Sequence, residues 1–366
     1  MQFEIQREAL LKPLQSVIGV VERRQTLPVL ANVLMVADEE GISLTATDLE
    51  VELQARVGVE VAETGQITLP ARKLMDIVRN LPEESTIALH LDQDRAVLKS
   101  GQSQFTLATL PAGDFPSVED IGTAEMLTLS QAHLRWLVDK THFSMALQDV
   151  RYYLNGLLIE MEPDHLRAVA TDGHRLALAE LSTGVEIEQP RQVIVPRKGI
   201  QELLRLLEHS DEPVRIQLGE NHIRALLPDI RFTSKLIDGR FPDYQRVIPD
   251  GSGHRVLVER EALRQALVRA SILSNDKYRG IRLMLEDDRL SIRSENPEQE
   301  RAEEDISVDY DGDALEIGFN ASYLLDALGA IEQPSVAVYV TDANASALMT
   351  GEGQQDARYV VMPMRL

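Results

Sequence analysis

Extended stretches, each running into a helix-period set of apolar residues, appear three times in this chain. Phe3 and Ile5 flank Glu4 and lead to Leu10 and Leu14; Leu127 and Leu129 flank Thr128 and lead to Leu134 and Val138; Val256 and Val258 flank Leu257 and lead to Leu263 and Leu267. The apolar pairs shift by 124 and then by 129 positions, and each is spaced i, i+4, as one face of a helix requires. Pro13 inside the first run predicts a kinked or late-starting helix there. A second pattern is a strand running into a polar corner. Leu44-Thr45-Ala46-Thr47-Asp48 returns 124 positions later as Ala168-Val169-Ala170-Thr171-Asp172, with Ile292-Arg293-Ser294-Glu295-Asn296 as a weaker third copy. A third is strand, turn and helix: Ile67-Thr68-Leu69-Pro70-Ala71-Arg72-Lys73-Leu74, then Val193-Ile194-Val195-Pro196-Arg197-Lys198-Gly199-Ile200, then Glu316-Ile317-Gly318-Phe319-Asn320-Ala321-Ser322-Tyr323-Leu324. Proline near the first helical position and asparagine as an N-cap both suit a helix start. Short alternating runs such as 85–90 and 213–218 fill the remainder. Three ordered landmarks at near-constant offsets predict an α+β protein of three repeats, each with many short strands and two helices. The expected boundaries are 1–125, 126–253 and 254–366.

Composition fits that division: 366 residues suggest two or three domains at roughly 100–200 residues each. Cysteine is absent, which excludes disulfides, thiolate metal sites, iron–sulfur clusters and cysteine nucleophiles. The opening residues form no apolar signal region, and nothing approaches eighteen consecutive apolar residues. A soluble, cytoplasmic protein without membrane contact is expected.

Charge changes the picture. The formal net charge is −22, which globally argues against a polyanionic partner. The predicted helices tell otherwise: 7–24, 72–80, 197–207 and 260–270 each carry +2, 130–142 carries +1 and 320–330 carries −1, a total of +8 that leaves −30 elsewhere. If those helices share one surface, that surface is basic while the remainder is acidic. With only 4% aromatic residues it suits phosphates better than base reading. Lys and Arg are also good helix formers, but Glu shares that propensity and is displaced to strands and loops.

Catalytic signatures are absent. There is no phosphate-binding G-x-x-x-x-G-K-[ST] loop and no helix-opening G-x-G-x-x-G; Gly351-Glu352-Gly353 lacks the third glycine. The eight histidines fall singly, without metal-ligand spacing, so neither metal nor cofactor is expected. Gly101-Gln102-Ser103-Gln104-Phe105 is one residue short of a nucleophile elbow and lies in a strand-like run. Asp172 and His174 could form an acid–base pair in a repeat-built enzyme, but Asp-Gly is a strong turn signal. A repeat-built protein scaffold without nucleic acid is a further alternative.

Four motifs then carry a resemblance over the whole chain. Arg151-Tyr152-Tyr153-Leu154-Asn155-Gly156, Ala170-Thr171-Asp172-Gly173-His174-Arg175-Leu176, Asp238-Gly239-Arg240-Phe241-Pro242-Asp243-Tyr244 and the ending Val360-Val361-Met362-Pro363-Met364-Arg365-Leu366 resemble the β sliding clamps of bacterial DNA polymerase III. The resemblance implies three processivity-fold domains per chain and two chains joined head to tail around duplex DNA, with helices lining the hole. Geometry agrees independently. Helices packed roughly 10 Å apart leave a clear circle of about 9 Å for six and about 28 Å for twelve. Duplex DNA is roughly 20 Å wide, so two chains can surround it and one cannot.

The same resemblance implies site residues. DNA contact falls on Arg24, Arg72, Gln148, Tyr152 and Tyr153, the arginines as mobile phosphate contacts. Consecutive strand residues face opposite ways, so core packing would account for at most one of the two tyrosines. A partner-peptide pocket falls on Leu154; on Thr171, Gly173, His174, Arg175 and Leu176; on Pro242, Arg246 and Val247; and on Val360, Met362, Pro363, Met364 and Arg365. Met is a soft lining for a groove that accepts several peptides, whereas Leu176 and Val361 are equally well read as core. The subunit interface falls on Phe105 and Leu107 against Ile272 and Leu273, with Lys73 facing Glu298, Glu300, Glu303 and Glu304. Implied partners are double-stranded DNA without sequence preference, a second copy of the chain, and clamp-binding peptides. Those peptides would come from the polymerase III α subunit, the clamp-loader δ subunit, other DNA polymerases, ligase and mismatch-repair proteins. The implied role is tethering for processivity, with no catalysis by the chain itself.

Overall fold

The computed structural model describes residues 1–21, 27–116, 121, 125–163, 165–182, 189–251 and 253–365, with Glu125 described by its backbone alone. The first third runs β1 (Gln2–Gln6), α1 (Arg7–Val17), β2 (Asn32–Asp38), β3 (Gly41–Thr47), β4 (Val51–Val57), β5 (Val61–Glu63), β6 (Gly65–Pro70), α2 (Ala71–Asn80), β7 (Thr86–Asp92), β8 (Arg95–Ser100) and β9 (Ser103–Ala108). The central third follows the same order with one strand fewer among the described residues: β10 (Glu125–Ser130), α3 (Gln131–Asp139), β11 (Gly156–Glu162), β12 (His165–Thr171), β13 (Arg175–Ser182), β14 (Arg191–Pro196), α4 (Arg197–Leu206), β15 (Pro213–Leu218), β16 (His222–Leu226) and β17 (Ile230–Lys235). The last third follows with β18 (His254–Glu259), α5 (Arg260–Ser271), β19 (Gly280–Glu286), β20 (Arg289–Glu295), β21 (Arg301–Ser307), β22 (Asp309–Tyr310), β23 (Leu315–Asn320), α6 (Ala321–Ala330), β24 (Ser335–Val340), β25 (Ala347–Gly351) and β26 (Ala357–Val361).

Local chemistry explains the helix limits. In α2, Ala71, Leu74, Met75 and Val78 are buried while Arg72, Lys73 and Asp76 face water, one apolar stripe at the helical period. Asn320 caps α6 by accepting from the Ser322 N–H at 2.8 Å, and the Glu259 carboxylate caps α5. Pro13 is buried inside α1 without delaying it, and the α-helix stops at Val17. A single 3-10 turn, Ile18–Val20, follows, so the first helix is shorter than its charge pattern predicts.

The chain forms two compact units, each holding two antiparallel sheets. The first, Met1–Ala132 with Lys198–Leu236, contains a five-stranded sheet ordered β5-β1-β7-β8-β9 and an eight-stranded sheet ordered β10-β15-β16-β17-β4-β3-β2-β6. The second, His133–Arg197 with Ile237–Leu366, contains a nine-stranded sheet ordered β14-β11-β12-β13-β26-β25-β24-β18-β22 and a four-stranded sheet ordered β21-β20-β19-β23. The central third is therefore divided: half of its strands extend a sheet of the first third and half extend a sheet of the last. The two joints are edge pairings, β4 with β17 and β13 with β26. In the second unit, Leu263, Leu267, Leu324 and Leu328 of α5 and α6 share one core with Phe319 and Tyr359. Burying each such side chain contributes roughly 1.5–3 kcal/mol.

Candidate functional site

The corner between β12 and β13 is locked by its own side chains. The Thr171 hydroxyl donates to the Arg175 carbonyl at 2.6 Å and accepts from the Gly173 N–H at 3.1 Å. Asp172 Oδ1 accepts from the N–H groups of His174 and Arg175 at 2.9 and 3.0 Å, and its Oδ2 accepts from Arg175 Nε at 3.1 Å. Gly173 sits at φ +89°, where a side chain would be strained. Asp172 is thus committed to the turn and to Arg175, as the Asp-Gly signal predicts. The Arg175 guanidinium also bonds the Phe143 carbonyl at 2.8 Å, pairs with Asp326, and lies 4.6 Å from the centre of the Tyr323 ring. Tyr323 is a neighbour of the site that sequence reading missed.

Beyond this corner the last residues of the chain lie alongside. The Met362 N–H donates to the His174 carbonyl at 2.9 Å, and the Met364 N–H to the Gly318 carbonyl at 2.8 Å. A 3-10 turn, Tyr244–Val247, supplies the third segment, with Phe241 and Tyr244 packed in one cluster with Leu176 and Val360. The three segments expected to meet do so. Leu154, Leu176, Val360 and Val361 are buried, and Leu176 and Val360 share one cluster. Thr171, Gly173, Arg175, Met362, Pro363 and Met364 are half-buried, while His174, Pro242, Arg246, Val247 and Arg365 are exposed around them. Arg246 is held by Asp243 at 2.7 Å.

Tyr152 and Tyr153 occupy a 3-10 helix, Tyr152–Asn155, and not the start of a strand. Their rings meet edge-on at 5.9 Å; Tyr152 is 58% exposed and Tyr153 packs against the cluster around Leu176. The preceding loop is braced by Asn155, whose side-chain oxygen accepts from the Asp149 N–H at 2.9 Å. Hydrogen bonds from Arg151 hold the Asp149 carboxyl at about 2. Gln148 is exposed at φ +55°, between Leu147 and Val150, which are 72% and 95% exposed. Neither apolar residue was singled out from the sequence, where only the neighbouring Tyr pair marked the loop. In the first unit Arg72 is exposed and donates to the Val21 carbonyl at 2.6 Å. Arg24 lies outside the described residues.

β9 and β21 are sheet edges. On β9, Phe105 is half-buried and Leu107 buried; beyond the end of α5, Ile272 is 72% exposed and Leu273 half-buried. Glu303 accepts from Arg293 Nε at 2.8 Å and Glu304 pairs with Arg269 at 2.7 Å, so both carboxylates already have cations within the chain. Glu298 and Glu300 remain exposed, as does Lys73 on α2. Among the described residues the six α-helices carry a net +6; Lys140 falls beyond α3, and Glu22, Arg23 and Arg24, which enter the expected +8, lie outside the described residues. Several cations are occupied: Arg205 bonds the Gln15 and Ser16 carbonyls at 2.9 and 2.8 Å, and Lys198 pairs with Asp48.

Three α+β thirds, built from helix-and-sheet halves and joined strand to strand, define the class of repeat-built DNA clamps. The chain belongs to the DNA polymerase III beta subunit family: the family's N-terminal, central and C-terminal domain profiles match residues 1–119, 128–243 and 245–365. It is 58% identical to the beta sliding clamp of Pseudomonas putida and 50% identical to that of Escherichia coli K12, over the full length of both chains in each case. The solved DNA polymerase III subunit beta of Pseudomonas aeruginosa superposes with a TM-score of 0.98 at 55% identity, and that of Caulobacter crescentus with 0.94 at 40%, each covering 100% of both chains. A Pseudomonas aeruginosa sliding clamp bound to griselimycin matches with a TM-score of 0.97 at 56% identity and the same coverage. The function is that of a sliding clamp, a processivity factor in DNA replication.

Proposed function

We propose that two copies of this chain close head to tail into a ring around duplex DNA, through pairing of β9 in one copy with β21 in the other. The observation that carries this reading is the order of the joints. β4 and β13 occupy equivalent places in the first and central thirds, and their partners β17 and β26 end the central and last thirds. By the same equivalence β21 of the last third seeks the strand that ends a first third, which is β9. Each is a sheet edge without a strand partner on its outer side among the described residues. β21 alternates exposed and half-buried residues and carries Arg301, Glu303, Glu304 and Asp305, charges of the kind that protect an open edge. Phe105, Leu107, Ile272 and Leu273 supply the apolar contacts, and Lys73 faces Glu298 and Glu300, with Glu303 and Glu304 held in place by their arginines. The three clamp domains span 1–125, 126–253 and 254–366.

In this reading Arg24, Arg72, Gln148, Tyr152 and Tyr153 touch the DNA backbone without reading sequence. The groove over Leu154, Leu176 and Val360, lipped by His174, Val247, Met362 and Met364, receives clamp-binding peptides. These come from the polymerase III α subunit, the clamp-loader δ subunit and other DNA-handling enzymes. The chain contributes position and not chemistry, binds no cofactor, and works in the cytoplasm; no helix among its described residues is long and apolar enough to cross a membrane. Retention on nicked circular DNA, with a loader supplied, tests the ring. Loss of the protein on linearisation is expected, and equal retention on both forms would overturn encirclement.

A further inference from the structure

Beside the peptide groove lies a cleft of about 860 Å³ that the proposed function does not use, between one face of the nine-stranded sheet and segment 244–251. Five adjacent strands each place a residue on its floor: Arg167 on β12, Leu178 on β13, Arg358 on β26, Leu348 on β25 and Tyr339 on β24. Leu178 and Arg358 pair directly and stand two residues along from Leu176 and Val360, so they occupy the same sheet face about 7 Å away. Tyr244 and Ile248 wall the cleft, and they pack in one cluster with Leu176, Leu178, Leu348 and Val360. Groove and cleft are successive stretches of one surface.

The cleft's chemistry differs from the groove's. Its two floor cations are already matched. Arg167 donates to Glu160 and Glu180 at 3.0 Å each, and Arg358 donates to Glu180 at 2.9 Å. The Tyr244 hydroxyl donates to Glu160, closing a network on the same sheet face as Arg167. Arg358 Nε is buried without an acceptor. The rim adds the carboxylates of Asp250 and Asp356 and the amides of Gln354 and Gln355. Asp356 is presented by a fixed turn, since its carbonyl accepts from the Glu180 N–H at 2.8 Å.

We propose that this cleft receives the residues flanking the apolar anchor of a docked peptide, and that it favours a flank bearing Lys or Arg over an acidic one. The inference rests on the groove reading above. Fluorescence anisotropy on the full-length protein tests it, using a polymerase III α-subunit peptide trimmed to its groove-binding core. The same core is then extended at either end by Lys-Ser-Lys-Ser or Glu-Ser-Glu-Ser. A lysine flank at one end is expected to tighten binding about fivefold at low salt, with no gain from the glutamate flank. Asp356→Lys and Gln354→Trp should each remove that gain while leaving core-peptide affinity unchanged. No gain from either end overturns the cleft assignment alone. So does a lysine gain that survives both substitutions, because the acidic chain as a whole would then be its source. Failure of the core peptide itself to bind overturns the groove and, with it, the cleft.

Discussion

At the two joints inside the chain, the same corner leads into different floors. Thr47 and Asp48 bond their backbone as Thr171 and Asp172 do: Thr47 Oγ1 donates to the Val51 carbonyl at 2.9 Å, and Asp48 Oδ1 accepts from the Glu50 and Val51 N–H groups at 2.9 and 2.7 Å. Leu49 takes the place of Gly173, at φ +78°, a conformation that costs a leucine about 1 kcal/mol. Even the wall recurs, since Ala112-Gly113-Asp114-Phe115-Pro116 parallels Asp238-Gly239-Arg240-Phe241-Pro242. What differs is the pair where the strands meet. In the first unit Glu52 faces Thr233 and reaches Arg231 at 3.7 Å; in the second Leu176 faces Val360. A buried carboxylate demands its partners and gives an apolar anchor nothing to fill. The joint belongs to the repeat, whereas the proposed binding surface rests on a few side chains placed on it.

The largest effect should come at the proposed joint between copies, which would have no chain linking its halves. Ile272→Ala with Leu273→Ala removes two aliphatic side chains worth roughly 1.5–3 kcal/mol each when buried. Sedimentation at low micromolar concentration should show a folded monomer; an intact dimer would refute this seam. Next, Leu176→Glu carries the first joint's residue into the second, where Val360 offers no partner. A loss of about 3 kcal/mol in denaturant unfolding is expected, together with loss of peptide binding. Removing residues 362–366 should leave the dimer intact and weaken a polymerase-derived peptide at least tenfold, about 1.4 kcal/mol by calorimetry. Equal affinity would make the C-terminal run plain core.

Two smaller effects sharpen the comparison further. Burial, with the Glu160 hydrogen bond, pushes the Tyr244 hydroxyl from 10.0 up to about 12. A folded-state value raised this way contributes stability that is complete below pH 10 and fades as pH climbs toward 12. Tyr244→Phe should therefore flatten the alkaline limb of the unfolding profile, and an unchanged limb would assign it to other groups. Arg72→Glu should lower the salt slope of DNA contact by about one without preventing encirclement. An unchanged slope would remove Arg72 from the DNA surface.

Much of this was legible in the sequence, because the repeat writes itself in local patterns. The offset between Leu44-Thr45-Ala46-Thr47-Asp48 and its later copy marks both corners, and the short apolar runs mark strands and helices. The division of the central third was not legible. Arg358 and Glu180 lie 178 positions apart, and alternation along a strand says which face is buried but not which edge finds a neighbour. The turn that holds Tyr152 and Tyr153 was hidden for a local reason: it is braced by Asn155 and Asp149, bonds no periodicity announces. The Glu160, Tyr244 and Arg167 network is equally silent in the sequence, each residue looking like an ordinary polar interruption.

The order of the strand joints has a kinetic consequence. β4 and β17, like β13 and β26, are tied together by continuous chain, so a joint that opens stays at an effective concentration of order millimolar or above from its partner. In the proposed ring β9 and β21 would meet only as separate molecules, and their pairing would also have to offset roughly 4–15 kcal/mol of lost translational and rotational freedom. With the proposed seam included, three joints of similar construction would have unequal lifetimes, the untethered one the shortest. A closed ring of two such chains would part first at a seam between subunits, giving DNA a place to enter while every domain stays folded.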